Sequence, residues 1–117
     1  MKIIVAGGRN FTNYTMLKER LDYLFQNINK NALIIISGMA PGADTLAVKY
    51  AEEEIIPLVR MPADWNTYGK NAGFKRNVAM AQIADGLVAF WDGKSRGTGH
   101  MIKIANDRGL NVRIINY

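Results

Sequence analysis

A doubly wound α/β domain, with five parallel strands and helices on both faces of the sheet, is the fold this 117-residue sequence predicts. Three observations predict it. Short apolar runs rich in β-branched residues recur five times, each bounded by Gly, Asn, Pro or Asp, as strands buried on both faces are. Segments with the apolar spacing of an amphipathic helix separate them. Strict alternation with short connections calls for right-handed crossovers, which put helices on both sides of a parallel sheet. The expected architecture is Rossmann-like.

The elements follow in order along the chain. Ile3 to Ala6 is the first strand, and Leu17, Leu21, Leu24 and Ile28 mark the first helix. Leu33 to Ile36 is the second strand, followed by a helix through Ala43, Leu46, Ala47, Tyr50 and Ala51. Leu58 to Val59 is a short third strand. The connection from Met61 to about Gly73 is too long for a bare turn and is a candidate binding loop or lid. Phe74, Val78 and Ala81 then share a helical face, Leu87 to Trp91 is the fourth strand, Met101, Ile102 and Ala105 mark the last helix, and Val112 to Ile115 is the fifth strand. No repeat, linker or low-complexity tract interrupts residues 1–117, which read as a single domain.

About half of the residues are hydrophobic (49%), enough for one core without disulfide or metal staples. With no cysteine and one histidine, thiolate zinc sites, redox pairs and multi-histidine metal centres are excluded. No cofactor is required by the pattern, and no metal site is expected. The apolar stretch at the N-terminus is far too short for a signal peptide or a membrane span, so the expected location is the cytoplasm, away from membranes. A formal charge of +5 suits an acidic partner, whether polymer or small phosphate compound.

Ligands of such sheets sit beyond the carboxyl ends of the strands, near the point where strand order reverses. Four segments should meet there: Gly7-Gly8-Arg9-Asn10-Phe11, Ser37-Gly38 through Gly42-Ala43-Asp44, the long connection with Trp65, Tyr68 and Lys70, and Asp92-Gly93-Lys94-Ser95-Arg96-Gly97-Thr98-Gly99. Glycines let backbone N–H groups approach an anion, and a helix start adds unpaired donors. Each glycine also fits a plain tight turn. Arg9, Lys70, Lys75, Arg76, Lys94 and Arg96 all fall in these loops or at the adjoining helix starts, whereas Lys18, Glu19, Arg20 and Asp22 interleave as on a solvated face.

Two motif readings fail on spacing. Gly93-Lys94-Ser95 resembles the end of a P-loop, but the glycine required five residues earlier is Val88. The first turn lacks the G-x-G-x-x-G spacing, and no acid ends the second strand to grip a ribose, so a hydride-transfer enzyme is not expected. Asp44 could hold a ribose hydroxyl, act as a base, or only complement its helix dipole. Trp65 and Tyr68 could stack on a base or plug the loop. Ser37 suits phosphate or backbone hydrogen bonding better than nucleophilic attack. Asp44, Asp92 and His100 are the weak candidates for catalysis.

These segments together resemble the SLOG superfamily, in its small YspA-like branch. The residues carrying the likeness are Ala6 to Phe11, Ser37-Gly38, Gly42-Ala43-Asp44, Pro62-Ala63-Asp64-Trp65, Gly69-Lys70, Ala72-Gly73, Arg76-Asn77 and Phe90 to Thr98. The resemblance implies a Rossmann-like domain that binds nucleotides or nucleotide-derived signals related to ADP-ribose or NAD, in a superfamily that includes phosphoribohydrolases and DprA. It implies a second-strand loop of Gly38, Gly42 and Asp44, a basic helix residue at Arg76, and a phosphate-binding turn at Gly97-Thr98. Relatives often carry Ala-Arg-Gly-Ala-Asp where this chain has Ala40-Pro41-Gly42-Ala43-Asp44. The phosphoribohydrolases place a glutamate where this chain has His100, and without it their route to N-glycosidic hydrolysis loses its acid/base group.

The leading expectation is a module that senses or sequesters a phosphorylated nucleoside derivative. An N-glycosidic hydrolase using Asp44 or Asp92 is the first alternative. Single-stranded nucleic-acid binding is the second, against which stand the lack of a basic helix and of clustered exposed aromatics. Pairing into homo-oligomers is expected from the resemblance.

Overall fold

The computed structural model describes all of residues 1–117. Strands β1 (Lys2–Gly7), β2 (Ile34–Ser37), β3 (Leu58–Arg60), β4 (Gly86–Trp91) and β5 (Asn111–Asn116) form one sheet of order β3-β2-β1-β4-β5. Every pairing is parallel. Helices α1 (Tyr14–Phe25), α2 (Ala43–Glu53), α3 (Trp65–Tyr68), α4 (Ala72–Ile83) and α5 (Arg96–Asp107) connect them. The fold is the expected doubly wound α/β sheet.

Period-2 alternation explains why β1 reads as one unbroken apolar run. Ile3 and Val5 enter a core with Leu17 and Leu21 of α1 and Ala47 and Tyr50 of α2. Ile4 and Ala6 enter the opposite core with Met80 and Ala81 of α4 and Met101, Ile102 and Ala105 of α5. A strand covered on both faces has no polar side to show. The chain leaves β1 for β2 and β3 on one side, then returns to β4 on the other. The topological switch point therefore lies between β1 and β4.

Two features of the helices differ from expectation. Helix α1 starts where the Asn13 side chain accepts from the Met16 N–H at 3.0 Å, and ends at Phe25. Ile28 lies beyond it, because Asn27 and Asn29 favour a turn and Asn29 caps the short 3-10 segment Lys30–Ala32. In α4 the buried face is Ala72, Asn77, Met80 and Ala81; of the expected Phe74, Val78 and Ala81 stripe only Ala81 lies on it. Phe74 and Val78 are 48% and 38% exposed. Ala72 in the same turn is buried, so Phe74 stands on another face of α4, against His100 and the cavity.

The long connection is also more structured than a loop. Asp64 accepts from the Thr67 N–H at 3.1 Å and caps the single turn α3, and a 3-10 turn at Gly69–Asn71 leads into α4. No helix is long and apolar enough to cross a membrane.

Candidate ligand-binding site

A cavity of about 480 Å³ opens where β1 and β4 end, at the switch point, within the size range of small-molecule sites. The turn after β1 supplies Gly7, Gly8, Arg9 and Asn10, and the start of α2 supplies Asp44. The long connection supplies Trp65 and Lys70, and α4 supplies Arg76 and Asn77. Asp92, Ser95, Arg96, Gly97 and Thr98 close the ring from the turn after β4. Four cations therefore face one cavity, and none of them takes part in an ion pair; the chain's ion pairs all lie elsewhere.

The three glycine-bearing turns are not equivalent. In the first, the Gly8 N–H donates to Phe90, and the Gly8 carbonyl accepts from Phe11 and from Ala43, the first residue of α2. The first N–H of α2 is thus already taken by protein. Gly42 stands there at φ +86°, where a Cβ would run into the Gly8 and Arg9 backbone. At α5 the arrangement is open. Ser95 makes no side-chain cap, the first backbone bond runs from Gly99 to Ser95, and the N–H groups of Arg96, Gly97 and Thr98 have no protein acceptor. Unpaired donors with the positive end of a 12-residue helix behind them form an anion site.

The turn leading into α5 is braced by Asp92, whose Oδ1 accepts from Lys94 at 2.9 Å and Ser95 at 2.8 Å. Those two N–H donors hold its carboxyl below the ordinary value. Arg76 is half-buried: its Nη1 donates to the Gly38 carbonyl and its Nε to Asn77 Oδ1. A side chain at position 38 would fall on this guanidinium, 2.6 Å from Nη1, and would displace it from this place.

Asp44, 5% exposed, accepts from the Ala40 N–H at 3.2 Å. Burial pushes its carboxyl up to about 6, against the pull of the Ala40 N–H, Arg76 and Arg9. The unfolded chain releases this proton near 3.8, so the group's contribution to stability is complete below that pH and is lost as pH rises to about 6. Asp44→Asn should remove that decline. Denaturant unfolding at a series of pH values should show the variant gaining about 2–3 kcal/mol on the native chain between pH 4 and 7; parallel pH profiles would refute it.

Several predicted residues lie outside the cavity. Ser37 is fully buried, donating to the Asp44 carbonyl and accepting from the Met39 N–H, so it organises the turn. Gly38 lines a smaller neighbouring hollow, and Gly42 serves backbone packing. Lys94 is exposed and turned away from the cavity, its N–H held by Asp92. Tyr68 faces another hollow with Lys75 over its ring at 4.9 Å. His100 packs behind the cavity against Phe74. Six lining residues went unpredicted: the small Ala6, Ala40 and Gly73 and the larger Phe74, Met80 and Met101. The helical spacing that carried Phe74 to the core was compatible with either face.

One further expectation is corrected. Trp65, Tyr68 and Phe74 are 51%, 47% and 48% exposed, and they stand among Lys70, Lys75 and Arg76. Exposed aromatics do cluster here, because α3 is a single turn that cannot bury its side chains.

This fold defines a Rossmann-like domain with a cavity at its topological switch point. The chain belongs to the YspA, cpYpsA-related SLOG family, whose profile matches residues 1–68. It is 31% identical over 120 residues to the Gene 61 protein of Mycobacterium phage D29, covering 95% of this chain and 93% of that protein. Among solved structures it is similar to DNA processing protein A (DprA) of Streptococcus pneumoniae, with a TM-score of 0.74 and 20% identity over 97% of this chain. It is also similar to DprA of Helicobacter pylori, described for its single-stranded DNA binding mode, with a TM-score of 0.68 and 20% identity. The chain spans 49% and 64% of those two proteins.

Proposed function

We propose that this chain binds a phosphorylated nucleoside derivative, of the kind represented by ADP-ribose, and thereby senses or sequesters it. The observation carrying this reading is the open start of α5. Three unpartnered N–H groups there border a cavity with four unpaired cations. Phosphate oxygens would be received by the Arg96, Gly97 and Thr98 amides, with Arg9, Lys70 and Arg76 around them. Trp65 and Phe74 offer aromatic surface for the base. Binding is favoured over hydrolysis by the state of the acids. Asp92 is tied to its own turn, His100 stands behind the wall, and Asp44 is held by backbone.

Mass spectrometry of ligand released from the purified protein tests this directly. A panel of AMP, ADP-ribose and cyclic ADP-ribose in thermal shift is the second arm. A ligand at 100 times its dissociation constant adds about 2.7 kcal/mol to stability. No co-purified compound and no shift with any phosphorylated nucleoside would refute the reading. Trp65→Ala should weaken binding by about tenfold, the loss of one stacking contact; unchanged titration calorimetry would remove Trp65 from the site.

A second reading rests on the aromatic and basic cluster of Trp65, Tyr68, Phe74, Lys70, Lys75 and Arg76. Stacking surfaces interleaved with cations suit a single nucleic-acid strand, the ligand named for the Helicobacter pylori protein. It requires oligonucleotide affinity that falls steeply with salt. Pairing of two copies is a further expectation. The edge strand β5 leaves Ile114 43% exposed, and light scattering of the purified chain would measure the mass.

A further inference from the structure

The polar side chains where α4 meets the start of α5 admit a single assignment of donors and acceptors. Arg76 carries donors only, so the Nε that meets Asn77 at 2.9 Å must face the amide oxygen. Asn77 Nδ2 is then turned towards the Gly97 carbonyl at 3.3 Å and His100 Nδ1 at 3.3 Å. An amide nitrogen only donates, so Nδ1 of His100 must accept and the ring proton must sit on Nε2. Asn77 is 5% exposed and uses its oxygen and both N–H groups. One buried side chain on α4 thus joins the cavity arginine to the turn whose N–H groups face the ligand.

We propose that Asn77 is a positioning residue that fastens the Arg76 guanidinium to the first turn of α5, and that His100, uncharged and protonated at Nε2, is the acceptor that completes this lock. The proposal rests on the ligand reading above and gives that site a device holding its two anion-receiving parts at one spacing. A proton added at Nδ1 would set N–H against N–H and open the lock. The groups around His100 oppose that proton. The Phe74 ring packs on it at 4.2 Å between centroids, and the cations nearby are Lys103 on α5 and Arg76, reached through Asn77, on α4. Burial first, and then Lys103, keeps the imidazole below its ordinary value.

His100 is the single histidine of the chain, so its ring signals need no assignment. Long-range ¹H–¹⁵N spectra of the whole ligand-free chain at about pH 7.5 should show the Nε2–H tautomer. The Nδ1–H tautomer would overturn the proposal. On titration, the Gly97 amide and the Arg76 Nε–H should shift with the His100 midpoint in the native chain and cease to follow it in Asn77→Leu. Continued tracking in that variant would also overturn it. Asn77→Asp replaces the donor with an acceptor and should raise the His100 midpoint by about one pH unit; an unchanged or lowered midpoint counts against the lock. The ring carbons report His100 alone, so the titration of Asp44 does not interfere. Affinity for ADP-ribose at about pH 7.5 should fall about tenfold in Asn77→Leu. If the native chain binds no ADP-ribose, the ligand reading fails, and the tautomer and the Asn77→Asp midpoint still decide the lock.

Discussion

Gly42→Val should destabilise the fold by about 5 kcal/mol, read as a fall in thermal midpoint of about 20 °C by calorimetry or circular dichroism. Two terms add. At φ +86° and ψ −128°, Gly42 sits in backbone space that side chains rarely enter, at about 1–3 kcal/mol for any non-glycine residue and the upper end for a β-branched one. The new Cβ would also press on the Gly8 carbonyl and lie 2.6 Å from the Arg9 carbonyl atoms. Relieving this means pushing the β1 turn off α2, which breaks the Ala43 to Gly8 hydrogen bond, and overpacking of this kind costs about 1–3 kcal/mol more. Gly97→Ala is the control. A Cβ there meets nothing within 4 Å, and the residue is helical, so stability should hold or rise by up to about 1 kcal/mol. Equal losses in the two variants would show that the glycines of these turns share one role.

The contrast between those glycines marks how far sequence reading reached. Strands were legible because burial on both faces leaves Ile3 to Ala6 and Leu87 to Phe90 without a polar side, and the order of elements leaves few topologies once crossovers are right-handed. The rim was legible for the same reason, since it is where the strands end. Within the rim, sequence could not tell packing from binding. Gly42 and Gly97 both begin helices, yet Gly42 is pinned by the β1 turn while the amides around Gly97 stay free, a difference made by residues more than 30 positions away. Lys94 and Arg96 lie two residues apart, but the Asp92 bonds to Lys94 and Ser95 set the turn so that only Arg96 faces the cavity. Phe74 and Val78 were misplaced because an i, i+4, i+7 apolar pattern identifies a helix without fixing which face meets the sheet.

Arg76→Ala should weaken binding of the cavity's nucleotide ligand by about 100-fold, the loss of two charge-assisted hydrogen bonds at about 1.5 kcal/mol each. The Gly38 carbonyl and Asn77 Oδ1 already hold Nη1 and Nε, so the free Nη2 edge needs no reordering to meet an anion. Arg76→Lys keeps the charge but has no planar fork, and a single ammonium cannot hold both partners and reach the ligand. It should recover only about half of the lost binding energy, leaving affinity about tenfold below native. The neighbouring Asp44 makes the pH of the measurement matter. Arg76 pulls that carboxyl down, so its removal sends the Asp44 midpoint above about 6 and keeps the group neutral over more of the range. A neutral Asp44 repels phosphate less and would mask part of the loss near pH 6. Titration calorimetry at about pH 8, where Asp44 is ionised in the native chain, is therefore the right comparison. Native-like circular dichroism with unchanged affinity in Arg76→Ala would remove this arginine from the site.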